Sequence, residues 1–365
     1  MGTIKRGFAN NIKSGGTFDA TTLNGTVPST NVANTTLSSV TSVPASVGDL
    51  VQTTATDPSP VTAGDVWYNT TSGTLKAGVL QAAAWASGGI LNNNRNLNAG
   101  SGTQTAGLMF GATSTNGTTI PGVKLSENYN GTSWTNGPSM VTLRTRLGGL
   151  GVQTAALGFG GYSNPPNIPT TSATESYNGS SWTTGGNLNT ARNAMGGAGT
   201  QTAGLGFGGT TGQTEKYNGT SWTSVNSMNT SRTAVASAGT QTAALASGGD
   251  LYPTSPRYSS ATESYNGTSW TTVNSLNTTR FYTGGAGTQT SAITFGGANP
   301  GNLTATELWN GTSWTSNPTG LGTARYGLSG FGTQTAALAA GGSSPYKATE
   351  AFTGAYAVAK TVTTS

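Results

Sequence analysis

RNAMGGAGTQTAGLGFGGTTGQTEKYNGTSWTSVN, residues 192–226, is the stretch that decides the fold, because its marks return at fixed offsets along the chain. Ala194 and Met195 mark a short, glycine-rich first strand that turns at Gly199-Thr200. Thr202 to Phe207 reads as a second strand, stopped by Gly208-Gly209. Thr214 to Tyr217 reads as a third. Asn218-Gly219 then makes a tight hairpin, since both residues tolerate positive φ, into a fourth strand opening at Ser221 to Thr223.

Six such copies follow one another. Their glutamines are Gln104, Gln153, Gln201, Gln241, Gln289 and Gln334, each in G-x-Q-T. An arginine lies nine positions before each, at Arg95, Arg144, Arg192, Arg232, Arg280 and Arg325. A glutamate follows, at Glu127, Glu175, Glu215, Glu263, Glu307 and Glu350, and in five copies a tryptophan comes seven residues later: Trp134, Trp182, Trp222, Trp270 and Trp314. A period in the forties of residues belongs to a radial or stacked architecture. Four short strands per unit fit a propeller blade. Glycine suits the first two strands of such a blade, which converge on the axis. A parallel β-solenoid is the rival, but its rungs are shorter and antiparallel Asn-Gly hairpins do not suit it.

Trp85 precedes Arg95 by ten residues, as Trp134 precedes Arg144, whereas the last copy has Ala357 where tryptophan is expected. The segment around Trp85 is therefore a spare fourth strand, placed to complete the final blade. The expected fold is all-β, a six-bladed propeller over residues 89–365, preceded by an extended arm over 1–57 and a small β-module with the ring-closing strand over 58–88. In the module, Val66 to Tyr68 and Leu75 read as strands around a turn at Ser72-Gly73. The arm reads equally as a linker or as a segment that orders against partner chains.

Composition narrows the function classes. Charged residues are 7% of the chain and hydrophobic ones 33%, with 56 glycines, which predicts a surface rich in hydroxyls and amides. The net charge is +5, and six of the 16 basic residues are the repeated arginines, so no nucleic-acid partner is expected. Cysteine and histidine are both absent, which removes thiolate and imidazole chemistry and Cys/His metal sites. No cofactor and no metal are expected. MGTIKRGFANNIKSGG has no apolar run for a signal peptide or membrane span, so synthesis in the cytoplasm and no membrane insertion are expected.

Residue by residue, the chemistry is sparse. Glycosidase action needs two carboxylates within about 5 to 10 Å, and glutamates dispersed one per blade do not provide them. Pairing with the repeated arginines or capping of backbone amides is the expected role of the six glutamates, and no enzymatic activity is expected. Tyr129 and Trp134, with their equivalents, read as interblade core before sugar platforms. The N-G-T/S triplets at Asn130, Asn178, Asn218, Asn266 and Asn310 read as turns before glycosylation acceptors. Function is sought in the loops between second and third strands, which share one face and differ between copies. Their candidate ligand-binding residues are Tyr162, Asn164, Asn167, Asp250, Tyr252, Arg257, Tyr258, Tyr346 and Lys347, with the aromatics expected to be exposed.

The Gly-Gly stops with a following aromatic and tryptophan resemble the Kelch or galactose-oxidase-like β-propeller: Gly160-Gly161, Tyr177, Trp182; Gly208-Gly209, Tyr217, Trp222; Gly248-Gly249, Tyr265, Trp270; Gly296-Gly297, Trp309, Trp314. The copper site of galactose oxidase needs histidine and a cysteine-linked cofactor, which this chain lacks. LNGTVPSTNVANTTLSSV, VTAGDVWYNTTSGTLK, the YNGTSW hairpins and the GTQTA strands resemble tail-fibre and adhesin proteins of tailed bacteriophages, including marine ones. That resemblance implies a virion protein made in the host cytoplasm, anchored to other virion proteins by its N-terminal arm. It further implies a homo-oligomer, three-fold by expectation, whose propeller recognises a host surface polysaccharide. Two other readings stay open: a structural tail or capsid decoration protein making protein contacts, and a bacterial surface adhesin.

Overall fold

The computed structural model describes residues 52–113, 123–163, 169–251 and 253–362. Residues 84–354 make one compact unit, and the described residues on either side of that stretch make a second. Among the described residues there is no helix, and residues 84–354 build six four-stranded antiparallel sheets. The third is Met195–Thr200, Ala203–Gly208, Thr214–Tyr217 and Trp222–Val225, hydrogen-bonded in that order. Ala194 falls just outside its first strand because it sits in the left-handed region, at φ 51°.

Burial grades across each sheet. In the third, the second strand is buried from Gly204 to Gly208, whereas the fourth buries Trp222 and exposes Thr223 and Ser224. The core lies between successive sheets: Leu150, Leu157 and Phe159 of the second pack with Met195, Tyr217 and Trp222 of the third. The first strands, Ala99–Gly102, Gly148–Val152, Met195–Thr200, Ala236–Gly239, Gly284–Gly287 and Leu328–Gly332, neighbour one another in order, and the last neighbours the first. This closeness explains their glycines. A Cβ on Gly197 would stand 2.5 Å from the carbonyl oxygen of Gly149 in the preceding first strand.

The repeated charges lock each sheet from within. Arg192 is 2.8 Å from Glu215, and the equivalent pairs in the other five sheets are no more than 3.0 Å apart. All twelve side chains are buried, and burial lowers the pKa of each guanidinium against the opposing pull of its carboxylate. The same guanidinium donates to the carbonyls of Gly208, where the second strand stops, and Gln213, just before the third. Glu215 in turn accepts the backbone N–H of Asn189, three residues before Arg192. Thus each glutamate both pairs with its arginine and caps a backbone amide.

Between sheets, four kinds of hydrogen bond recur. Gln201 donates to the carbonyls of Ala156 and Tyr177 in the preceding sheet, and the other five glutamines repeat this. The N–H of Gly209 donates to the carbonyl of Arg232 in the next copy at 3.0 Å, and a Cβ on Gly208 would lie 2.8 Å from that oxygen, so side chains are excluded there. Tryptophan Nε1 donates to a threonine of the preceding sheet at 2.9–3.0 Å: Trp222 to Thr174, Trp270 to Thr214, Trp314 to Thr262, Trp85 to Thr306 and Trp134 to Thr349. Finally, the N–H of Leu97, Arg146, Ala194, Ala234, Tyr282 and Gly327 each donates to the carbonyl of the member before it, Leu97 to Gly327, at 2.7–3.0 Å.

Trp85 reaches its place because Ala84–Ser87 pairs with Thr349–Thr353, Trp85 opposite Phe352, as the outer strand of the sixth sheet. The C-terminal strand Tyr356–Thr361, expected within the repeats, instead joins the second unit. Its Ala357 cannot supply the indole that the sixth sheet needs. That unit's sheet runs Gln52–Thr54, Val66–Asn69, Thr74–Gln81, Tyr356–Thr361, the first pair parallel, so it draws one strand from the expected 1–57 arm. Asp57 ties it by accepting from Trp67, Asn69 and Lys76, and the Lys76 and Asn69 bonds hold its carboxyl below the usual value. Residues 1–51 of the arm lie outside the described residues.

In the first sheet serine replaces the threonine acceptor: Ser126 Oγ donates to the carbonyl of Pro138, and Trp182 Nε1, its would-be donor, has no partner among the described residues. Ser126→Thr should stabilise the fold by about 0.5–1.5 kcal/mol for one added bond, read as a higher urea midpoint; an unchanged midpoint would refute the assignment. Arg192→Met should cost about 3–5 kcal/mol by stranding buried Glu215, and adding Glu215→Leu should restore much of the loss. A double variant no more stable than the single would show that the carboxylate is not the source of the penalty.

Candidate functional site

The left-handed ring positions are where the copies stop resembling one another. Their occupants are Leu97, Arg146, Ala194, Ala234, Tyr282 and Gly327, always two residues after the repeated arginine. With the residues that follow them, they line a cavity of about 90 Å³. In three copies the residue after the Gly-Gly stop runs beside the segment preceding that ring: Tyr162 pairs with Thr145, Asp250 with Thr233, and Ala298 with Phe281. These three loops therefore begin next to the cavity mouth.

There an aromatic and cationic group assembles from four different sheets. The Arg146 guanidinium carbon is 5.5 Å from the Tyr162 ring centre and 5.6 Å from that of Tyr282. Phe281 stacks on Tyr258 at 4.8 Å and 9°, and lies 5.2 Å from Tyr282. Tyr326 closes the group, 6.2 Å from Tyr282 and 6.4 Å from Phe281. Arg257 holds Asp250 in a bidentate pair, with Nη2 to Oδ2 at 2.8 Å, and its guanidinium also lies over Phe281 at 5.8 Å. Half of the Arg257 side chain is exposed, whereas Asp250 is buried.

Burial pushes the Tyr282 phenol above its ordinary value; Arg146 opposes this, and Tyr162, Asp250 and Tyr326 add to it. Tyr282 is therefore neutral near pH 7 and its hydroxyl can donate. Stacked faces, phenols and guanidinium edges suit a polar ligand with one apolar face, such as a sugar ring.

Four of the nine loop candidates, Tyr162, Asp250, Arg257 and Tyr258, come together here. Asn164, Asn167 and Tyr252 lie outside the described residues. Tyr346 and Lys347 accept backbone N–H bonds from Arg95 and Leu91 through their carbonyls, and no ring contact joins them to the group. The expectation of exposed aromatics is corrected: Tyr162, Tyr258 and Tyr346 are half-buried, the first two because Arg146 and Phe281 cover them. Arg146, Phe281, Tyr282 and Tyr326 were missed by the loop criterion, because they precede first strands. The legible signal was the variation at one and two residues after each repeated arginine.

Elsewhere the marks are structural. Tyr129 and Trp134, with relative exposures of 2% and 5%, are core and present no sugar platform. Asn218 Oδ1 accepts the N–H groups of Thr220 and Ser221, which makes its hairpin an Asx turn. Among the described residues no three acidic side chains gather, and no helix is long and apolar enough to cross a membrane. In comparison with known proteins, no family model matches the chain, and no curated protein matches it.

Phe281 is the platform on which the 250–258 loop rests. Phe281→Ala should therefore speed tryptic cleavage after Arg257 about 2- to 10-fold, the range set by one lost aromatic pair. Equal cleavage rates in the two proteins would mean that the loop is held by other contacts.

Proposed function

We propose that this chain is a non-enzymatic virion appendage of the tail-fibre type, whose six sheets form a six-bladed, Kelch-like β-propeller for host-surface recognition. The ring of six backbone hydrogen bonds that returns from Leu97 to Gly327 supports the closed six-bladed reading, as does the completion of the last sheet by Ala84–Ser87. The observation that carries recognition is the convergence of Arg146, Tyr162, Tyr258, Phe281, Tyr282 and Tyr326 at one mouth. These are the residue types that bind saccharides, and they stand where the repeats diverge instead of where they agree. A binding role without chemistry is favoured because every carboxylate of residues 84–354 is already engaged by an arginine. The N-terminal arm is the expected anchor to other virion proteins and the expected site of oligomerisation.

The test incubates purified full-length protein with candidate host bacteria and their isolated surface polysaccharide, measuring retained protein and released sugar together. Saturable retention without sugar release is expected, reduced at least about 10-fold by Tyr162→Ala with Tyr282→Ala, given roughly 1 kcal/mol per aromatic contact. Released sugar would make the protein an enzyme. Absence of retention would transfer the chain to the structural virion components that make protein contacts.

A further inference from the structure

Eight arginines fall among the described residues, and seven of them bind a carboxylate. Arg146 is the exception: among the described residues no carboxylate or carbonyl accepts from its guanidinium, which meets only the rings of Tyr162 and Tyr282. Its position is nonetheless fixed. The backbone N–H of Arg146 donates to Leu97 at 2.9 Å, its carbonyl accepts from Ala194 at 2.7 Å, and its φ is 54°. Both tyrosine ring centres lie within 5.6 Å of the guanidinium carbon, and the group carries five N–H donors. Arg146 lines a cavity of about 90 Å³, several times the space one water needs.

The surroundings set the charge of the ligand. Residues 84–354 hold eleven Lys and Arg against seven Asp and Glu, a net +4, and all seven acids are already paired. An arriving anion thus meets no unengaged carboxylate in this unit. One planar guanidinium with open edges matches one planar carboxylate through two parallel N–H···O bonds. Tyr282 and Tyr326 beside it offer ring faces for a pyranose and phenols for its hydroxyls.

We propose that the cavity mouth binds the carboxylate of an acidic saccharide, a uronic or similarly carboxylated sugar, with Arg146 as its anchor. The proposal rests on the host-surface reading above and specifies its ligand class. Bound sugar lies with its carboxylate on the Arg146 edge and its apolar face toward the tyrosines. Neutral saccharides lack the group that the guanidinium awaits.

The experiment measures binding of the full-length protein to polygalacturonate, polyglucuronate, polysialate and the acidic fraction of host surface polysaccharide, each beside its carboxyl-reduced form. At least one carboxylated saccharide should bind and lose its affinity on reduction. Arg146→Gln should weaken that binding about 10- to 100-fold, the value of a charge-assisted pair, with Arg146→Lys in between. Thermal midpoints of both variants should stay within a few degrees of the parent, because among the described residues the guanidinium makes only its two ring contacts and no hydrogen bond. Unchanged affinity in Arg146→Gln, or equal binding of a reduced polymer, overturns the proposal while leaving host-surface recognition standing. Binding of none of these saccharides overturns the proposal, while retention on host cells decides the host-surface reading separately, and binding of poly-glutamate alone reassigns the site to acidic peptides.

Discussion

A guanidinium cannot be buried alone. Taking it from water costs several kcal/mol unless a carboxylate and further acceptors meet it, and six of them are buried here. Each finds its glutamate on the third strand of its own sheet and takes two backbone carbonyls as well. Arg192 uses those of Gly208 and Gln213, and Arg232 those of Gly248 and Ala261. The first carbonyl marks the end of the second strand and the other the approach to the third. Between these points the chain makes a short crossing in one copy and the long DLYPTSPRYSS excursion in another. The ion pair therefore separates loop length from sheet geometry, so loops can vary without disturbing the strands they join.

Sheets are then joined by donors that the repeat cannot lose. Glutamine reaches back to two carbonyls, tryptophan to a threonine, and glycine N–H forward to an arginine carbonyl. Each link uses a backbone acceptor or a hydroxyl, so no further charge has to be buried. With aromatic contacts such as Phe159 on Trp222 at 4.9 Å, the interior is settled by a few invariant positions. The ring of backbone bonds at Leu97, Arg146, Ala194, Ala234, Tyr282 and Gly327 asks nothing of the side chains there. Leucine, arginine, alanine, tyrosine and glycine are all accepted, and this indifference is what opens the position to function.

Much of this was legible because repetition averages away accident. Strand order, the Asn-Gly hairpins, the Arg–Glu pairing and the spare strand at Trp85 all followed from offsets shared by five or six copies. The tryptophan acceptor was not legible, since threonine is too common in this chain for one before each glutamate to stand out. Departures were harder to read than agreements. Arg146 and Tyr282 drew no reading from the sequence, because left-handed backbone leaves no mark when the residue is not glycine. The C-terminal strand was misplaced for a related reason: Ala357 signals a missing tryptophan but does not say which sheet the strand joins instead.

The scarcity of charge gives the mouth its selectivity. On an ordinary surface a lone arginine has acidic neighbours within a Debye length of about 8 Å, and much of its field is spent on them. In residues 84–354 the acids are held by their own arginines, so Arg146 faces solvent with only aromatic rings against it. Those rings lie 5.5 and 5.6 Å from the guanidinium carbon before any ligand arrives, and the hydrogen-bonded backbone fixes its root. A ligand loses little by ordering a site that is already ordered, so the affinity of one contact is better preserved. Discrimination then depends on whether the ligand brings a planar anion to the open edge, a distinction that the hydroxyl- and amide-rich remainder of the surface cannot make.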